Sequence, residues 1–237
     1  MSEVTRNTPA IDDEEILCGI RGWVEIETPS PDGEAVNRLA DVVQSEATAL
    51  GGRVERIPGR DGYGDILTVR SPWGGDEPGI LILSHLDTVH AVGTLEFANP
   101  FRRDGDRVYG PGIFDMKSGA YLAFYAFQHL VRSGQETPLP LTFLYVPEEE
   151  IGSPTSRQVI EDTAKKNKYV LVTEPAHNGL CCTARKGVLH VDMKVYGRPA
   201  HAGSRHQDGR SALRELAHQI VTLESPTNYE RGITVNV

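Results

Sequence analysis

The stretch Gly79-Ile80-Leu81-Ile82-Leu83-Ser84-His85-Leu86-Asp87-Thr88-Val89 constrains the fold more than any other part of this 237-residue chain. Four consecutive large aliphatics suit a strand buried on both faces, as in the centre of a parallel or mixed sheet. Such a strand ordinarily runs out into a turn, but this one ends in a histidine and an aspartate two residues apart. Extended geometry puts His85 and Asp87 on the same side of the chain. Neutral imidazole is a common zinc ligand, and a carboxylate at its other nitrogen fixes the tautomer. Taken alone, the pair reads more simply as a buried, hydrogen-bonded histidine near a strand end. The acidic residues downstream decide between the two.

The flanking sequence alternates helix and strand. Ile16, Leu17, Ile20, Trp23 and Val24 form a helical stripe over residues 12–26, with an acidic first turn and Pro29 beyond its end. A second helix is expected over residues 31–50, stopped by Gly51-Gly52. Residues 53–57 and 65–70 read as strands, and residues 72–78 as a loop. Residues 90–106 read as a long irregular loop of the kind that lines a site. A short strand at 107–109, a helix at 120–131, a strand at 141–146, a helix at 154–166 and a buried strand at 169–173 complete an α/β layered pattern. Beyond Ala184 the pattern changes: 188–195 alternates as a half-buried strand, 210–223 is helical, and 232–237 begins another strand. Two domains are therefore expected, residues 1–184 and the start of a smaller one, residues 185–237.

Composition narrows the function classes. The formal charge is −9, and the basic residues are dispersed. Nucleic acid and anionic membranes need a concentrated positive surface, so neither is expected as a partner. Cys18, Cys181 and Cys182 are odd in number and lack CxxC spacing, which disfavours a disulfide framework or a structural zinc site. Residues 1–7 show no secretory pattern, and no apolar run reaches membrane-spanning length. A cytoplasmic location is expected.

Four positions carry the chemistry, each where a buried strand or apolar turn gives way to a loop. They are His85 with Asp87, Asp115 in Gly110-Pro111-Gly112-Ile113-Phe114-Asp115, the triplet Glu148-Glu149-Glu150, and Glu174. Ligands of open α/β sheets bind outside the carboxyl ends of the strands, so these loops converge on one edge. Carboxylates gathered there repel one another unless a cation lies between them, and a mixed His/carboxylate set suits zinc. Singly, the triplet could be a solvated helix start and Glu174 a surface turn. Gly110, Gly112 and Gly119 read as turn and packing glycines, since no P-loop spacing follows.

These motifs resemble the dinuclear-zinc peptidases and deacylases that include glutamate carboxypeptidase, acetylornithine deacetylase, succinyl-diaminopimelate desuccinylase, aminoacylase and tripeptidase. The resemblance rests on Ser84-His85-Leu86-Asp87-Thr88-Val89, Gly110-Pro111-Gly112, Asp115-Met116-Lys117-Ser118-Gly119, Glu149-Glu150-Ile151-Gly152-Ser153, Thr173-Glu174-Pro175 and Gly197-Arg198-Pro199-Ala200-His201-Ala202-Gly203. It implies a three-layer α/β/α zinc-exopeptidase-like catalytic domain with a partial ferredoxin-like α+β lid and dimerisation domain. By the same resemblance, His85 and Glu174 hold one zinc, Glu150 holds the other, and Asp115 bridges them. Cobalt or manganese could take the place of zinc. Asp87 orients His85, Glu149 is the general base, His201 stabilises the oxyanion, and the bond after Asp115 is cis. Aligning on Gly152-Ser153 fixes the triplet this way, while a one-residue slip would give Glu148 and Glu149. His90, His129, His177, His190, His206 and His218 match no motif position.

The implied reaction is hydrolysis of an amide bond beside a free carboxylate, in a small peptide or an N-acyl amino acid, by a protein that is a homodimer when complete. Members of this family are longer, and the chain looks truncated within the small domain. A non-catalytic remnant that binds a metal or ligand without turnover is the alternative, and a mononuclear aminopeptidase of related fold is a third reading.

Overall fold

The computed structural model describes residues 10–176 and 178–237, so the leader reading of residues 1–7 and the assignment of His177 lie outside the described residues. The chain divides into two units, Met1–Ala176 and His177–Val237.

In the first unit, α1 (Asp13–Val24) starts where the Asp12 carboxylate accepts the N–H groups of Glu14 and Glu15 at 2.9 and 3.2 Å. Asp32 caps α2 (Gly33–Ala49) in the same way, accepting the Ala35 N–H at 3.0 Å. These caps satisfy N–H groups that a helix start leaves without partners. The strands β1 (Arg53–Ile57), β2 (Ile66–Arg70) and β3 (Ile80–His85) follow. The expected loop over residues 90–106 is more ordered than its composition suggests. It holds a one-turn helix, α3 (Thr94–Phe97), and β4 (Arg102–Asp104), which pairs with β5 (Arg107–Tyr109). A hairpin of three-residue strands is too short to leave a readable alternation. The remaining elements are α4 (Ser118–Arg132), β6 (Leu141–Val146), α5 (Arg157–Lys165) and β7 (Tyr169–Val172).

The sheet order is β1-β2-β6-β3-β7, with β3 parallel to both β6 and β7. Parallel pairing brings the carboxyl ends of these three strands to one edge, where His85 lies opposite Val146. Helices α1, α2 and α4 cover one face through Trp23, Leu39, Val43, Phe124 and Phe127, packed on Val69, Phe143 and Tyr145. Val159, Ile160 and Ala164 of α5 cover the other face, over Ile66, Leu81, Leu144 and Val146. The fold is therefore mixed α/β in three layers. Each fully buried side chain of this size contributes about 1.5–3 kcal/mol.

Three strand expectations are corrected. Residues 169–172 form a strand, but an exposed one: Tyr169 to Val172 are 42–61% accessible, because β7 is the edge of the sheet. An apolar run records a strand suited to burial, not whether a neighbour covers it. In the second unit, residues 188–195 form no ladder among the described residues, and Val188, Leu189 and Val191 are exposed. Residues 232–237 contribute only an isolated bridge, Asn228 to Ile233. Alternation is local, whereas a strand exists only where a second segment takes up its N–H and C=O groups. The helix of this unit is α6 (Ala212–Glu224), capped by Ser211.

Candidate metal centre

β3 delivers His85 to the sheet edge almost fully enclosed, at 1% accessibility, with Asp87 at 0%. The hydrogen bond from Leu86 N–H to Val146 O, 2.9 Å, carries the β3–β6 pairing one step past the strand. The chain then turns through Glu148 into the single helical turn Glu149–Ile151. β7 ends at Val172, and Ser84 Oγ shares a hydrogen bond with Thr173 Oγ1 at 2.8 Å, which holds the segment bearing Glu174 against β3. Asp115 arrives on an irregular turn, Ile113–Lys117, whose Asp115–Met116 bond is cis as the resemblance implied.

Two glycines make this approach possible. Gly112 has φ +67°, and a Cβ there would lie 2.2 Å from Thr88 Cγ2. A Cβ on Gly119 would lie 2.0 Å from Thr173 O, so a larger residue would push α4 away from the β7 end. Both are packing glycines, as their spacing predicted.

The side chains converge. His85 Nε2 lies 3.1 Å from Asp115 Oδ1, 3.5 Å from Glu174 Oε1 and 4.0 Å from Glu149 Oε2. Two sets could each hold an ion, His85 with Glu149 and Glu174, and His85 with Asp115 and Glu150, their ligand atoms all within 4.8 Å. Of the seven residues named for this edge from sequence, His85, Asp115, Glu149, Glu150 and Glu174 are thus brought together. Glu149 is grouped with His85 and Glu174, where the resemblance makes it a base and not a ligand.

Asp87 does more than face the imidazole. His85 Nδ1 is 2.9 Å from the Asp87 backbone carbonyl and 3.3 Å from its Oδ1. The carboxylate accepts the Glu149 N–H at Oδ1, 3.1 Å, and the Glu150 N–H at Oδ2, 3.2 Å. Glu148 turns inward instead: it is fully buried, and its Oε1 accepts the N–H groups of Thr155 and Ser156 and the Thr155 hydroxyl. His201 belongs to the second unit, exposed, where its Nδ1 accepts the N–H groups of Gly203 and Ser204.

Charge is unbalanced in this cluster. Burial acts to lower the His85 pKa, but the carboxylates of Asp87 and Glu174 outweigh it and push His85 up to about 11. Burial raises Asp115, Glu149 and Glu150, and the neighbouring carboxylates raise them further: Glu174 at Asp115, Glu174 and Asp87 at Glu149, and Asp115 at Glu150. The group attracts positive charge beyond what one imidazolium supplies. One imidazole and four carboxylates are hard-to-borderline donors that suit a divalent cation.

Sequence reasoning missed the support beneath this cluster. The Lys117 ammonium, 1% exposed, donates to Trp23 O at 3.2 Å and Ile26 O at 2.6 Å, tying the Asp115 turn to the end of α1. Burial pulls its pKa down to about 7 against the opposing charges of Glu27 and Asp87. Glu27 accepts the Gly93 and Leu95 N–H groups at 2.7 and 2.8 Å, fixing the segment beyond β3. Lys117 lay inside a quoted motif, with the apolar Met116 beside it as the one local sign of burial. Glu27 and Ser30, beside a proline read as a helix stop, carry no such signal.

Comparison with known proteins places the chain in a family. Carboxypeptidase G2 of Pseudomonas sp. (strain RS-16) is 32% identical over 209 residues, covering 87% of this chain and 50% of that protein. Succinyl-diaminopimelate desuccinylase of Rickettsia prowazekii is 28% identical over 149 residues, covering 57% and 38%. Among solved structures, a tripeptidase of Staphylococcus aureus matches with a TM-score of 0.64 at 16% identity, covering 91% of this chain and 58% of that one. An M20 family metallo-carboxypeptidase of Sulfolobus solfataricus gives 0.56 at 21% identity, covering 69% and 37%. The chain spans about half the length of the curated relatives it matches. Residues 81–234, well over half the chain, match peptidase family M20/M25/M40, and the chain belongs to that family.

Proposed function

We propose that the complete protein is a metal-dependent hydrolase of amide bonds adjacent to a free carboxylate, acting on small peptides or N-acyl amino acids. One observation carries this reading: His85, Asp115, Glu149, Glu150 and Glu174, from four separate segments, converge on one volume at the carboxyl ends of the parallel strands β3, β6 and β7. Carboxypeptidase G2 and the desuccinylase, both relatives of this chain, cut bonds of that kind by name.

His85 and Glu174 would hold one ion, Glu150 the other, and Asp115 both, with zinc favoured by the mixed imidazole and carboxylate donors. When bound, such a pair supplies Lewis acidity at the scissile carbonyl and makes a water more acidic. The protein's own part is proton transfer and placement. Glu149, half-exposed and raised in pKa, suits a base that accepts a proton from the attacking water and returns it to the leaving amine. Asp87 fixes Glu149 and Glu150 through their backbone N–H groups. His201 is the oxyanion stabiliser in this reading, supplied by the second unit as the beginning of a lid and dimerisation domain. A homodimer and a cytoplasmic location complete the proposal.

In the full-length protein, Glu149→Gln keeps the shape and removes the base, so turnover should fall about 10²–10⁴-fold with metal content unchanged. Glu150→Gln should lower metal content first. Near-normal turnover in Glu149→Gln would overturn the assignment of the triplet.

A further inference from the structure

We propose that Ser30 is a positioning residue for this centre, its hydroxyl setting the plane of the Asp87 carboxylate so that both oxygens meet the backbone of Glu149 and Glu150. Ser30 is 2% exposed, and its O–H donates to Asp87 Oδ2 at 2.6 Å. That oxygen also accepts the Glu150 N–H, while Oδ1 accepts the Glu149 N–H and faces the His85 ring. The terminal torsion of an aspartate is broad, so the carboxylate plane is not fixed by rotamer preference alone. A third partner of fixed direction removes that freedom.

The direction is fixed because the segment bearing Ser30 is itself clamped. Thr88 N–H donates to Thr28 O at 2.8 Å, and Ser30 N–H donates to Thr88 O at 3.2 Å. The Thr28 hydroxyl donates to Leu86 O at 2.6 Å, and Pro29 bridges Thr88 in parallel. Pro29 and Pro31 hold φ on either side of the serine. Residues 28–30 therefore form a short brace along residues 86–88, and Ser30 is its contact with the site.

The turnover arm of the test rests on the hydrolase reading; the metal-affinity arm does not. In the full-length protein, zinc affinity is measured by competition with a chromophoric chelator, alongside kcat, KM and urea unfolding, for Ser30→Ala, Asp87→Asn and the double variant. Changes to groups that orient metal ligands cost about 10–100-fold in affinity or activity, and Ser30→Ala should fall near the lower end. Its kcat should drop with KM nearly unchanged. On the Asp87→Asn background the same substitution should add less than about 2-fold, since coupled neighbours are not additive. A folded Ser30→Ala with wild-type affinity and kcat, or with an undiminished effect beside Asp87→Asn, would overturn the proposal. Should the alanine variant not fold, Ser30→Cys, with only a weak thiol donor, is read against the same two limits. Coupled affinities in a protein with no amide turnover would sustain Ser30 and sink the hydrolase reading instead.

Discussion

The two sides of the candidate metal cluster are built differently. On one side, His85 and Asp87 are 1% and 0% exposed, and the aspartate is held by a hydroxyl and two backbone N–H groups. On the other, the side chains of Asp115 and Glu149 are 54% and 49% exposed, and carboxylates face one another. The enclosed side satisfies its polar groups within the fold and so contributes to folding. The acidic rim crowds like charges, which the fold tolerates only because the sheet edge and turns fix the backbone. The enclosed side thus stabilises the protein, while the crowded carboxylates of the rim cost stability until a cation arrives.

The largest expected effect breaks the enclosed side. Asp87→Ala leaves two N–H groups and a serine hydroxyl without their acceptor and strips His85 of its one fully buried countercharge, 3.3 Å away. Removing one member of a buried polar pair costs about 3–5 kcal/mol, and urea unfolding of the metal-free protein should lose that much. Metal affinity should fall as well.

Next comes the pH response of the metal-free protein. His85 rises from 6.5 to about 11, so its contribution is fully present below pH 6.5 and is lost as pH climbs toward 11. Lys117 moves the other way, from 10.5 to about 7. The unfolded chain keeps that proton longer, so this group makes stability rise between about pH 7 and 10.5. The two oppose each other, and the informative quantity is the difference between wild type and His85→Gln. That difference should shrink steadily from pH 6.5 to 10 in thermal unfolding under chelator, and Lys117→Met should steepen the wild-type decline above pH 7. A His85→Gln difference that grows with pH would show that the imidazole is not charged in the metal-free fold.

On the rim the sign reverses. Glu150→Gln removes one of several mutually repelling carboxylates whose pKa values are raised, so the metal-free protein should be unchanged or slightly more stable at pH 7, within about 0.5 kcal/mol. The same variant should bind zinc more weakly. Loss of stability on the scale of Asp87→Ala would erase the distinction between the two sides.

This distinction also explains what the sequence disclosed. The residues of the candidate cluster were legible because a strand such as residues 80–83 that ends in His-Leu-Asp, or a Gly-Pro-Gly turn that ends in Asp, departs from ordinary strand or turn composition. The α/β layering was legible because α1, α2, α4 and β6 each bury a face whose period is written locally. What stayed hidden depends on partners remote in the chain. Residues 188–195 alternate as a strand does, yet no ladder forms there among the described residues, and β7 has the composition of a central strand at the edge of the sheet. Ser30 and Glu27 became meaningful only once residues 86–95 had folded against them. The triplet shows both cases: Glu148 is buried and bonded to Thr155 and Ser156, a fate its neighbours share in composition but not in direction.

The smallest effect supplies the yardstick. Asp32 is also a hydrogen-bonding carboxylate, two residues from Ser30, but its acceptor role is at the start of α2, where it takes the Ala35 N–H at 3.0 Å. Replacing an aspartate cap with alanine costs about 0.5–2 kcal/mol. Asp32→Ala should therefore lower urea stability by about 1 kcal/mol through helix capping alone. Its carboxylate touches none of His85, Asp87, Glu149 or Glu150 among the described contacts, so zinc affinity should stay within about 2-fold of wild type, as for independent sites. If it does, the affinity lost in Asp87→Ala belongs to the positioning of ligands and not to general loosening of the fold. If Asp32→Ala weakens zinc as much as it weakens folding, the metal centre senses global stability, and the separation between its enclosed and exposed sides is one of degree.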